Sequence, residues 1–180
     1  MSSIRFQVGD KAPDFDFETP WLPRKNFYET MENHPAVLVF LRYLGCPVCQ
    51  MDMAQLKREI GLFTQKDAKV FVFLQSPIET VASAANDGDW PFYIVCDPKG
   101  AIFREYAVEP GGLVKYLHPA GLIAAVRSTL QGYRHGKFEG NETQLPAAFV
   151  LDSQKIITYA YYGKHINDLP EPALLAAHIR

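Results

Sequence analysis

A chain of 180 residues with 48% hydrophobic content can bury one substantial core, and residues 1–180 read as a single domain. Its 18 Lys+Arg against 20 Asp+Glu leave a formal charge of −2, too little field to hold nucleic acid or an anionic membrane. Three cysteines are too few for a disulfide scaffold, which a chain of this size does not need.

The opening MSSIRFQVGDKAPDF lacks the apolar stretch of a secretory signal. No apolar run reaches the roughly 18 residues of a membrane-spanning helix. The expected compartment is the cytosol, where a C-x-x-C reads as redox or metal chemistry.

The first 35 residues are turn-rich, with prolines at 13, 20, 23 and 35 and a short alternating run around Phe15 and Phe17. The continuous apolar run Ala36 to Leu41 has strand length and predicts a strand covered on both faces. From Cys49 the apolar positions step through Met53, Leu56, Ile60 and Phe63, one buried helix face, with Gln50, Asp52, Gln55, Lys57 and Arg58 largely opposite. A second buried strand spans Lys69 to Gln75, followed by a helix from Ile78 to Asn86. A third strand, Phe92 to Cys96, stops at Asp97-Pro98-Lys99-Gly100, before a short helix from Ala101 to Val108.

Between Gly111 and Gln144 the pattern changes to an inserted helix, Pro119 to Gln131 (Leu122, Ile123, Val126 and Leu130 at helical spacing), and a mobile basic loop, Tyr133 to Lys137. Strands Ala147–Leu151 and Ile156–Tyr162 follow, then a helix starting near Pro172. The order β-α-β-α-β-α, insertion, hairpin and helix predicts an α/β fold with a mixed central sheet and helices on both faces.

Cys46-Pro47-Val48-Cys49 lies past the C-terminal end of a buried strand, at the start of a helix. Open α/β sheets usually carry their chemistry there. Unpaired N–H groups and the helix dipole favour a thiolate, so the Cys46 pKa is expected below the ~8.5 of free cysteine. Pro47 suits the first helical turn. Cys49 starts the buried stripe, whereas Cys46, one turn earlier, is expected at a lip open to solvent, as the attacking thiolate that Cys49 resolves.

Zinc would need two more ligands, and the five histidines lack ligand spacing, so no metal is expected. Cys96, ending an internal strand, reads as a small core residue. Pro146 is tolerated at the start of a strand, and local rules favour an ordinary trans bond.

These residues resemble the thioredoxin-fold superfamily and, within it, the AhpC/TSA (peroxiredoxin-like, redoxin) family. The matching pieces are Val8-Gly9-Asp10-Lys11-Ala12-Pro13-Asp14-Phe15, Val37 to Phe40 leading to the cysteines, Cys96 to Gly100, and Ala148 to Asp152. Peroxiredoxins carry P-x-x-x-T-x-x-C with a peroxidatic last Cys; here Arg42, Cys46 and Cys49 hold the three places. The Arg such proteins place three residues before the strand Phe is Pro146 here. The C-x-x-C followed by that proline resembles thioredoxin, and implies a cis Pro146 against the cysteine pair.

The resemblance thus implies a thiol-dependent oxidoreductase cycling Cys46 and Cys49 between dithiol and disulfide, without a cofactor. Under thiol–disulfide exchange Cys46 attacks; under peroxide reduction Cys49 would become the sulfenic acid. Arg42 reads either as a support for the thiolate or as a solvent-facing strand-end charge. Expected partners are a thiol reductant or protein disulfide, a hydroperoxide substrate, and a second copy in a homodimer. The alternative is a non-enzymatic redox sensor whose inserted helix engages a partner.

Overall fold

The computed structural model describes residues 4–112 and 118–180, so residues 1–3 and the stretch 113–117 of the expected insertion lie outside the described residues. Five strands form the central sheet: β3 (Ala36–Phe40), β4 (Lys69–Leu74), β5 (Tyr93–Cys96), β6 (Ala147–Leu151) and β7 (Ile157–Tyr162). Their order is β5-β4-β3-β6-β7, with β3 parallel to β4, β4 parallel to β5, and both remaining pairs antiparallel. This is the expected mixed sheet. Strands β3 and β6 are buried at every position, which accounts for their unbroken apolar sequence.

Side-chain alternation divides the core by residue type. Val37, Val39, Val70, Val72, Leu74, Ala148 and Val150 face one side, toward Met53 and Leu56 of α2 (Pro47–Arg58) and Leu175 of α7 (Pro172–Ala177). Leu38, Phe40, Phe71, Phe73 and Phe149 face the other, toward α1 (Phe27–Met31) and α5 (Ala101–Glu105). Phe40 stacks on Phe73 at 4.3 Å between ring centres and meets Phe103 and Phe149 edge-on. The cysteine pair sits on the aliphatic side.

Two short strands, β1 (Asp16–Phe17) and β2 (Lys25–Asn26), pair antiparallel before α1. The expected helix after the cysteines is divided into α2 and α3 (Gly61–Thr64), with the break just before Gly61, a weak helix former. Helix α4 (Ile78–Ala84) and the inserted helix α6 (Pro119–Leu130) lie where the spacing places them. However, α6 presents its small residues inward: Gly121, Ala124 and Ser128 are buried, and the helix packs on α2. Leu122, Ile123, Val126 and Leu130 are exposed. Among the described residues no helix is long and apolar enough to cross a membrane.

The aromatic layer gives a stability prediction. Phe40→Ala is expected to cost about 3–5 kcal/mol in urea unfolding, because it leaves a cavity between the rings of Phe73, Phe103, Tyr106 and Phe149. Val126→Ser, on the exposed stripe, is expected to stay within about 0.5 kcal/mol.

Candidate active site

Strand β3 ends at Phe40, and residues 41–46 carry the chain to α2, where Cys46 is the N-cap and Pro47 occupies the first turn. The Cys46 sulfur accepts the Cys49 N–H at 3.3 Å, taking the place of a capping oxygen. The two free cysteines approach to 3.0 Å. One expectation changes here: Cys46 is not on a lip but is 0% exposed, as buried as Cys49 at 2%. The chain that follows α6 causes this, because it folds back over the cysteine loop.

Arg42 resolves as a support. It is buried, and its Nη2 donates to the Cys46 sulfur at 2.8 Å. Its Nη1 donates to the Glu142 carbonyl at 2.9 Å, with the Glu142 carboxylate at 3.9 Å. Burial alone would push the Cys46 thiol up. A hydrogen bond with Cys49, the Arg42 charge and the Cys49 amide outweigh it and bring the Cys46 pKa down to about 7. Cys49 moves the other way: burial, then its hydrogen bond to Cys46 and the charge on that sulfur, hold it well above the ordinary thiol value. The pair therefore contains one thiolate near neutral pH and one thiol.

The basic loop is pinned to this site rather than mobile. The Gly136 N–H donates to the Gly45 carbonyl at 2.8 Å, and the Tyr43 hydroxyl meets His135 Nε2 at 3.1 Å. His135 Nδ1 lies 2.8 Å from the Gly136 carbonyl, which can only accept, so Nδ1 carries the proton and Tyr43 donates to Nε2. Gly45 is required because a Cβ there would lie 2.4 Å from the Lys137 carbonyl oxygen. Further along, Gln75 Oε1 accepts the Asn141 N–H at 2.7 Å, and Gln75 Nε2 donates to Gln144 at 3.0 Å. The Gln75 backbone N–H also donates to the Arg42 carbonyl at 2.7 Å, tying Glu142 and Arg42 to one frame.

Pro146 stands beside the end of β3, just before Ala147, the partner of Phe40. Its peptide bond is trans, which corrects the cis expectation. The trans chain runs straight into β6, the Pro146 carbonyl accepts the Gly163 N–H at 2.8 Å, and the Leu145 carbonyl accepts from Gln144. The guanidinium at the cysteine pair is that of Arg42. Cys96 is a core residue as expected, its thiol pushed up to about 12 by burial and then by Glu18, Glu79 and Glu139.

Sequence reasoning missed Tyr43, Gly45, His135, Glu142 and the Gln75–Gln144 pair, and it placed Asp52 on the solvent side of its helix. Asp52 is half-buried one turn after Cys49, its carboxyl held well above the usual carboxylate range by burial, then by Cys49 and Glu171. Glycine directly before the motif was the one local signal for close backbone packing.

The profile of the AhpC/TSA family matches residues 8–160. The chain belongs to that family. Among solved structures, peroxidoxin BcpB from Mycobacterium tuberculosis is similar with a TM-score of 0.70 at 15% identity, over 97% of this chain and 96% of that one. A peroxiredoxin-like protein from Aquifex aeolicus gives 0.69 at 15% identity, over 98% and 87%. A putative thiol:disulfide interchange protein DsbE from Chlorobium tepidum gives 0.57 at 15% identity, over 87% and 85%. At these identities the likeness is one of fold. No curated protein matches the sequence significantly.

Removing the guanidinium should remove the low pKa. In Arg42→Gln the Cys46 thiolate, followed by its ultraviolet absorbance against a Cys46→Ser blank, is expected to titrate about 1–3 pH units above the wild-type midpoint near 7. Arg42→Lys should recover part of that shift. The sign follows from charge: a cation that favours the thiolate lowers the midpoint, so its loss raises it.

Proposed function

We propose that the protein is a thiol-dependent oxidoreductase in which Cys46 attacks a small oxidant and Cys49 resolves the product. The observation that carries this reading is the Arg42 guanidinium on the Cys46 sulfur at 2.8 Å. A thiolate with a pKa of about 7 is half ionised at neutral pH, near the optimum for an attacking thiol. Complete burial of that sulfur favours a small oxidant over a protein disulfide.

With a hydroperoxide, the Cys46 thiolate forms an S–O bond as the O–O bond breaks. The electron pair leaves on the alkoxide, which takes a proton and departs as an alcohol, or as water from hydrogen peroxide. Cys46 is then a sulfenic acid and has lost its negative charge. That charge is one cause of the high Cys49 pKa, so attack by Cys46 makes Cys49 easier to ionise, with Arg42 still at hand. Cys49 displaces hydroxide from the sulfenic sulfur, the disulfide forms, and water leaves with the Cys49 proton. With a small disulfide, Cys46 forms a mixed disulfide and releases one thiolate, and Cys49 releases the second. In either case an external dithiol supplies two electrons to restore the pair.

This reading reverses the nucleophile implied by the peroxiredoxin motif, in which Cys49 holds the peroxidatic place. Cys46→Ser is expected to lose turnover by more than about a hundredfold, since the hydroxyl is not ionised at neutral pH. Cys49→Ser should complete a single turnover and stop as a Cys46 sulfenic acid that a dimedone probe traps. Retained turnover in Cys46→Ser would assign the attack to Cys49.

One observation favours a second reading, a redox sensor: the exposed stripe Leu122, Ile123, Val126 and Leu130 on α6. Repeated turnover by substoichiometric protein separates the two, because a sensor oxidises once and waits.

A further inference from the structure

Beside the cysteine loop lies a cavity of about 370 Å³. At the ~30 Å³ share of a water molecule it has room for about twelve water-sized groups, far more than hydrogen peroxide needs. Its volume falls within the range of small-molecule sites. The walls are chemically one-sided. Pro47, Val48, Ala125 and Ile166 give an apolar body, and Thr129 and Tyr133 add polar groups.

The basic side chains come from two elements. Arg42 lines the cavity and bonds the Cys46 sulfur, which lies behind it without exposed surface, and Arg134 and the neutral His135 come from the loop that covers the site. No acidic side chain is among the described lining residues. Arg42 is matched by the thiolate, and His135 has both ring nitrogens engaged within the protein. Among the described lining residues the remaining positive charge is that of the exposed Arg134, whose planar fork suits a carboxylate.

From this arrangement we propose that the cavity seats a small, carboxylate-bearing organic oxidant, its apolar body against Pro47, Val48, Ala125 and Ile166, its carboxylate at Arg134 and its reacting bond toward Cys46. The proposal rests on Cys46 being the attacking thiolate. It adds that the insertion selects the substrate, since Ala125, Thr129, Tyr133, Arg134 and His135 all belong to it. The reacting bond can be O–O or S–S, and both fit the same walls and the atom balance given above.

The test uses Cys49→Ser, so that each observed rate is the attack by Cys46. Two matched pairs are compared by stopped-flow at low salt: cumene hydroperoxide with its para-carboxylated counterpart, and bis(4-carboxyphenyl) disulfide with its uncharged diamide. In at least one pair the carboxylated member is expected to react roughly 2–5-fold faster, the worth of one exposed ion pair. The pair that shows it identifies the bond. The preference should fall toward unity when Arg134→Gln is added, and shrink as salt rises.

Equal rates within both pairs, or a preference that survives Arg134→Gln, would overturn the proposal while leaving Cys46 as the nucleophile. Failure of Cys46 to react with any of the four compounds would remove the proposal together with the reading beneath it.

Discussion

A buried charge pair organises this site: the Arg42 guanidinium on the Cys46 sulfur at 2.8 Å, both groups out of water. Taking two charges from solvent is costly, and their attraction repays the cost only when the remaining hydrogen-bond positions are filled. Here they are largely filled from a distance. The Glu142 carbonyl takes a second donor of the guanidinium, the Cys49 amide takes the sulfur, and the helix dipole adds its field. Losing either partner would strand the other. The pair thus fixes which cysteine ionises and, through Glu142, where the insertion must lie.

The sheet makes that arrangement rigid. Because β3 is buried along its whole length, the residues that follow it leave from a fixed point, and Gln75 at the end of β4 bonds both Arg42 and Asn141. The chain belongs to the AhpC/TSA family, but its cysteine site departs from the motif that the peroxiredoxin resemblance implies. A cysteine stands in place of the motif threonine, a trans proline in place of the strand arginine, and an arginine in place of the motif proline. The guanidinium at the cysteine pair belongs to Arg42, just after β3. The loop after α6 bonds the cysteine loop through Gly136 and Gly45, and Cys46 has no exposed surface.

Local patterns carried most of the fold. Unbroken apolar runs marked β3 and β4, helical steps marked α2, and Pro47 and Pro172 marked two helix starts. The cysteine pair was legible for the same reason, since its meaning depends on a strand ending and a helix beginning nearby. What escaped notice was non-local or small. Arg42 and Glu142 are 100 residues apart, as nearly are Tyr43 and His135, and no local rule joins them. The β1–β2 pair is two residues long, and α1 left only a capping signal, Asn26 with Glu29 three residues on. On α6 the spacing of Leu122, Ile123, Val126 and Leu130 marked a helix but not its inward face, which Gly121, Ala124 and Ser128 take because small side chains allow close approach to α2. The exposure of Cys46 was misjudged because burial there depends on a loop some ninety residues later.

If the two sulfurs are electrostatically opposite, a limiting alkylating agent must distinguish them. Wild-type protein at pH 7 would be treated with a small fraction of an equivalent of iodoacetamide, then digested and mapped by mass spectrometry. Label is expected on Cys46 over Cys49 by at least about tenfold, because only the former is substantially ionised at that pH. Label mainly on Cys49, or shared equally, would contradict it.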